Sequence, residues 1–227
     1  MFPIRDTIPA KRFPIMNWLI IITNIAIFIY ELSLNDQQLG EFIGTYGLIP
    51  AKFSLFSHHD LWSAKLLSLS PFFTNMFLHS GWLHIILNMW VLIIFGDNVE
   101  NRMGSFKYLA FYIICGIAAS ISHYILNINS PIPAIGASGA IAGVMAAYMF
   151  LFPFAKVVVL IPILFIPLFF ELPSFVYIGI WFIMQLWSGA LSLGFKSAGI
   201  AFWAHIGGFL SGIILYKFFL TKKYSIS

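Results

Sequence analysis

The chain has 227 residues; 60% are hydrophobic and only 9% are charged. A soluble domain carries about 25% charged residues, so this composition excludes a water-covered globule and leaves length for about six spans of ~20 residues. The net charge of +4 is scattered; no basic stripe is available to line up on phosphates, which excludes nucleic acid as a partner class.

Residues 1–15 read as a basic, Pro-containing lead with Arg5, Lys11 and Arg12. No small-x-small cleavage site follows the first apolar run, so span 1, about Met16–Leu32, is expected to stay uncleaved. Residues 33–74 form a long mixed connector, expected to lie on the membrane surface with partial helices. Spans 2 and 3 are expected at about Asn75–Gly96 and Phe106–Leu126. A connector with Pro131 and Pro133 leads into span 4, about Ser138–Phe152, which is too short to cross the hydrocarbon. Its N-terminus should therefore start inside the membrane.

Val157–Phe170 is apolar but short, is interrupted by Pro162 and Pro167, and opens on three valines. A re-entrant or interfacial segment is expected there rather than a regular helix. Spans 5 and 6 follow at about Pro173–Leu191 and Gly199–Leu220, with a tail at 221–227. Residues 16–220 thus read as one six-span membrane domain.

Charge supports that count. Arg5, Lys11, Arg12, Arg102, Lys107, Lys156, Lys217, Lys222 and Lys223 fall on one side; Lys52, Lys65 and Lys196 fall on the other. The bias puts both termini in the cytoplasm. A seventh span at Val157–Phe170 would weaken it. The single cysteine, Cys115, sits among apolar residues, where it reads as structural.

Polar residues inside spans are costly and draw attention to function. Span 2 carries His79, His84 and Asn88; span 3, His123; span 5, Gln185; span 6, His205. At ~1.5 Å of rise per residue, His84, Ser138 and His205 all lie ~18–21 Å above the cytoplasmic ends of their spans. Gly139 and Gly143 on span 4, and Gly208 and Gly212 on span 6, form small faces that permit close approach. Pressing these faces together would bring the Ser138 hydroxyl to the His205 imidazole, a nucleophile beside its base. Gly136 sits at the mouth of the same helix. The Ser138 backbone N–H, with His84 and Asn88 one turn apart on span 2, would offer donors to an oxyanion. His79, His123 and Gln185 read as structural. There is no His-Glu-x-x-His and no pair of intramembrane aspartates, so neither a metal nor any other cofactor is expected.

Four pieces carry a resemblance: His79-Ser80-Gly81-Trp82-Leu83-His84 through Asn88; Gly96-Asp97-Asn98-Val99-Glu100-Asn101-Arg102-Met103-Gly104; Gly136-Ala137-Ser138-Gly139; and Ala204-His205-Ile206-Gly207-Gly208 with Gly212. Together they resemble the rhomboid intramembrane serine proteases of the prokaryotic six-span type. The resemblance implies an all-α bundle whose short fourth helix starts inside the membrane. It implies a Ser138–His205 dyad without a third acid, with His84 and Asn88 at the oxyanion. It also implies cleavage of transmembrane segments of other membrane proteins within the bilayer. Substrate would arrive sideways past span 5 and the loop Ser192–Ala198. A bacterial cytoplasmic (inner) membrane is the expected location. Glu100 and Arg102 read as an ion pair or cap at the cytoplasmic helix end.

Two positions depart from the family pattern. Ser70-Pro71 stand where some members have Trp-Arg, and Ala142 stands where some have a tyrosine stacked on the histidine. Phe202 or Trp203 are expected to supply the missing stacking. A non-catalytic binder of membrane helices on the same scaffold and a small transporter are the competing readings. The retained Ser and His disfavour the first, and the absent repeat disfavours the second.

Overall fold

The computed structural model describes residues 1–53, 69–163, 166–192 and 201–221. Lys65, nearly all of the loop Ser192–Ala198 and the tail beyond Thr221 lie outside the described residues.

Among the described residues five helices are long and apolar enough to cross a membrane, and a sixth apolar helix is shorter. They are α1 (Ile15–Ser33), α5 (Trp82–Met103), α6 (Ser105–Leu126), α7 (Ser138–Leu151, the short one), α8 (Ser174–Ser192) and α9 (Phe202–Phe219). The connector after α1 carries α2 (Asp36–Tyr46), α3 (Pro50–Phe53) and α4 (Pro71–Thr74), then a 3-10 turn at Asn75–Phe77. Asn35 caps α2 in a reciprocal box with Gln38, and Pro71 occupies the first turn of α4, where its missing N–H is not needed.

α7 is the axis of the bundle. It is apolar on all sides, and every residue from Gly139 to Tyr148 is buried, the signature of a helix surrounded by others. Glycines set its spacing. A Cβ on Gly143 would stand 2.6 Å from Cys115 of α6, and one on Gly212 would stand 2.5 Å from the Gly143 carbonyl oxygen. Cys115 is therefore a packing residue in the α6–α7 seam.

The structure corrects the sequence expectations in two places. Span 2 does not run Asn75–Gly96; its helix begins at Trp82 and continues to Met103. It extends because Asn98 is buried against the N-terminal lead and Glu100 against the start of α1, and it ends where Gly104, at φ +82°, takes a conformation that favours glycine.

The second place is Val157–Phe170: it is not a regular helix, as expected, and its described residues form antiparallel strands that the all-α expectation does not contain. β2 (Lys156–Ile163) pairs antiparallel with β3 (Ile166–Pro173), from Lys156↔Pro173 to Ile163↔Ile166. The lead supplies a third strand, β1 (Phe2–Asp6), which pairs with the other edge of β2. β-branched valines suit the pleat, and Val157 and Val159 are fully buried while their neighbour Val158 is not. Pro162 and Pro167 face each other across the pair. The Trp90 indole donates to the Pro3 carbonyl at 2.6 Å, which ties the sheet to the middle of α5. The helical bundle thus carries a small antiparallel sheet on its flank.

Candidate active site

The segment before α7 is irregular backbone, which inside a bilayer would be tolerated only where protein satisfies it or water reaches it. Here protein satisfies much of it. Leu48 and Ala134 exchange backbone bonds at 3.1 and 2.8 Å, the Ala51 N–H donates to Ser130 O, and the Gly136 N–H donates to Asn75 O at 2.8 Å. Gly136 holds φ +124°, and a Cβ there would stand 2.7 Å from the His84 ring. That glycine lets the chain turn beneath His84 and deliver Ser138 as the first residue of α7.

The Ser138 hydroxyl lies 2.7 Å from His205 Nε2 of α9. The approach follows from the glycine faces: Gly139 packs against Ala119 of α6 and Ala204 of α9, and Gly208 packs directly on the Gly139 carbonyl. Ser138 and His205 are both partly buried. Ser138 N–H belongs to the first turn of a helix, whose amides have no intrahelical acceptor and whose dipole favours negative charge.

His84 and Asn88 stand on the α5 face that meets Gly136; Asn88 Nδ2 would be 3.7 Å from a Cβ at that glycine. Asn88 is buried, and its amide nitrogen lies 3.1 Å from His79 Nε2. The His79 backbone N–H in turn reaches the buried Glu31 carboxylate of α1, at 3.2 and 3.4 Å. The Ser80 hydroxyl lies 3.0 Å from His84 Nδ1. His79 therefore belongs to the support of Asn88. A small cleft of mixed lining reaches Ser138, with Asn75, Ser120 and His123 beside Met76, Ala119 and Ile135. His123 itself sits at the end of α6, its ring nitrogen 3.5 Å from the Asn127 side chain.

Two contacts of His205 differ from expectation. The aromatic ring facing it is Trp181 of α8, with centroids 5.9 Å apart and planes tilted by 37°. Phe202 and Trp203 instead lie against Gly189, two turns along α8. In addition, His205 Nδ1 lies 2.8 Å from Gln185 Oε1, a partner the sequence reading leaves out of the site. Glu100 serves as a cap: it accepts from the Met16 and Asn17 amides at 3.1 and 2.8 Å and from the Ser105 hydroxyl at 2.5 Å. Arg102 lies over the Phe152 ring at 4.9 Å.

A hydroxyl hydrogen-bonded to an imidazole, with free amide donors at a helix start beside it, is equipped for nucleophilic attack on a carbonyl. Among the described residues no three His, Cys, Asp or Glu side chains are grouped to hold a metal ion.

The Rhomboid domain family matches residues 66–222. Over 152 residues the chain is 25% identical to Rhomboid protein 1, mitochondrial, of Saccharomyces cerevisiae, covering 65% of this chain and 41% of that protein. It is 30% identical over 147 residues to the human Presenilin-associated rhomboid-like protein, mitochondrial, covering 63% and 36%. It is 37% identical over 76 residues to RHOMBOID-like protein 6, mitochondrial, of Arabidopsis thaliana, covering 34% and 24%. The match thus spans less than half the length of each of these relatives.

Proposed function

Given that the chain belongs to the rhomboid family, we propose that it is an intramembrane serine endopeptidase acting through Ser138 and His205. The observation that carries this reading is the 2.7 Å contact between the Ser138 hydroxyl and His205 Nε2, which joins two residues 67 positions apart on different helices.

In the proposed reaction the Ser138 oxygen attacks the scissile carbonyl carbon while its proton passes to His205 Nε2. The resulting oxyanion is met by the Ser138 N–H and by the side chains of His84 and Asn88. As the tetrahedral intermediate collapses, His205 gives its proton to the departing amide nitrogen, leaving an ester on Ser138. A water then loses a proton to His205, attacks that ester, and releases the new carboxyl end and the serine hydroxyl. Placing each donor where charge develops is worth about 3–4 kcal/mol of transition-state stabilisation.

The proposed substrates are transmembrane segments of other proteins, and the medium is the lipid bilayer. A carbonyl inside an intact helix is shielded and hydrogen-bonded, so segments that unwind readily are favoured. A non-catalytic binder would leave the Ser138–His205 contact without a task. The chain's own apolar helices support a multi-pass membrane protein; the names of the relatives place those proteins in mitochondria. For this chain we propose a bacterial cytoplasmic membrane with both termini on the cytoplasmic side; that orientation rests on the Lys and Arg distribution.

The test is reconstitution of the full chain in liposomes with a transmembrane reporter. Cleavage that disappears in Ser138→Ala and in His205→Ala supports the proposal. Cleavage that persists in Ser138→Ala overturns it.

A further inference from the structure

The imidazole of His205 bridges three helices. Its Nε2 faces Ser138 of α7 at 2.7 Å, and its Nδ1 faces Gln185 Oε1 of α8 at 2.8 Å. Gln185 is only 9% exposed, so water does not compete freely for the contact. Trp181, one turn earlier on α8, turns its ring toward the same imidazole. Phe182 stacks on Phe209 of α9 at 4.0 Å and 15°, which seats α8 against the helix that carries the base. Ala142 of α7 is fully buried and offers no ring.

A neutral imidazole carries one ring proton. With that proton on Nδ1, it donates to the Gln185 amide oxygen, and the Nε2 lone pair points at the Ser138 hydroxyl. With the proton on Nε2, the ring could only donate toward Ser138 and would be useless as its base. After attack, the imidazolium donates from both nitrogens; Nδ1–H keeps its acceptor while Nε2–H turns to the leaving nitrogen. A neutral amide cannot stabilise that charge as a carboxylate would, so its contribution is tautomer and ring orientation.

We propose that Gln185 is the positioning residue of His205: its amide oxygen holds Nδ1 protonated and leaves Nε2 bare toward Ser138. The proposal rests on the endopeptidase reading for the role of His205. It places in α8, rather than in an added acid or an α7 aromatic, the group that orients the base. Gln185 touches neither substrate nor the reacting atoms.

The experiment compares Gln185→Met and Gln185→Glu with the unaltered chain, reconstituted in full. Met keeps the length of the side chain but offers only a weak acceptor; Glu keeps a carboxyl oxygen. Turnover of the reporter should fall about tenfold to a hundredfold in kcat for Gln185→Met, as for loss of one buried hydrogen-bond partner, with KM near its original value. Gln185→Glu should recover most of it. Nitrogen NMR of the His205 ring in the unaltered chain should show the Nδ1–H tautomer. In Gln185→Met it should show a mixture of tautomers.

An unchanged kcat in Gln185→Met overturns the proposal, as does a rise in KM alone, which would mean only helix packing. An Nε2–H tautomer in the unaltered chain also overturns it, and that measurement decides even where Gln185→Met fails to fold. Ser138→Ala run in parallel separates the two readings. If it is dead while Gln185→Met is unaffected, only the positioning role falls. If it remains active, the endopeptidase reading falls.

Discussion

Gly208 of α9 packs so closely on the carbonyl of Gly139 in α7 that a Cβ at position 208 would overlap that oxygen. The obstacle is backbone, so no rotamer change relieves it. Gly139 directly follows Ser138, and Gly208 lies three residues beyond His205. The seam that holds the helices together thus sets the hydroxyl–imidazole distance.

Gly208→Ala should therefore push α7 and α9 apart. The expected cost is about 1–3 kcal/mol of stability from overpacking and about a hundredfold in turnover from ~1 Å of misplacement. Gly40→Ala, inside α2 with nothing within 4 Å of the added Cβ, should leave turnover unchanged and raise stability by up to about 1 kcal/mol. Unfolding in detergent and reporter cleavage in liposomes read the two effects.

A related expectation concerns the donors on α5. Asn88→Ala should lower kcat about 10²–10³-fold with little change in KM, because its amide is needed only when the oxyanion forms. His84→Ala should do the same. The double variant should lose less than the product of the two, since both groups serve one charge. Steady-state kinetics on the same reporter checks all three.

Much of this site is legible in the sequence, for a physical reason. Helix rise converts residue number into depth, and glycine spacing marks the faces that can touch; together they bring Ser138, His205 and His84 to one level. The same arithmetic puts Gln185 ~18 Å above Pro173, at the level of His205. Reading Gln185 as structural passes over that signal. The aromatic partner is not legible, because choosing Trp181 over Phe202 or Trp203 depends on how α8 and α9 are rotated.

The sheet is hidden for a different reason. β2 meets β1 across the register Phe2↔Leu160, and no local pattern reports a partner so far away. The downward extension of α5 is hidden likewise: Asn98 looks like a helix end until Asp6 and Ile8 arrive to accept its amide at 3.0 Å each.

Glu100 offers a prediction about stability rather than chemistry. Its buried carboxylate satisfies the first amides of α1 and the Ser105 hydroxyl. Glu100→Ala strips charge-assisted bonds from that helix start and should destabilise the fold by about 3 kcal/mol. Glu41→Ala, on the exposed face of α2, should stay within ~0.5 kcal/mol. Unfolding in detergent, with turnover per folded molecule measured alongside, separates loss of fold from loss of chemistry.

Asp6 makes the attachment of β1 sensitive to pH. Burial pushes its carboxyl above the ordinary value of 3.8, against hydrogen bonds from Tyr148, its own backbone, Ile8 and Asn98 that pull it down. A raised native value means that the docked strand holds a proton more tightly than the released one. Its stabilising effect is complete below the ordinary value and is lost as pH rises through the native one. Hydrogen exchange at the β1 amides, corrected for the intrinsic rate, should show protection falling from acid toward neutral pH. Asp6→Asn should flatten that dependence.

The most direct test of the central claim is covalent. A fluorophosphonate probe added to the reconstituted chain should label one side chain, and fragment mass spectrometry should place the adduct on Ser138. Labelling should vanish in Ser138→Ala and drop to background in His205→Ala. An adduct on any other residue, or labelling that survives Ser138→Ala, would contradict the account.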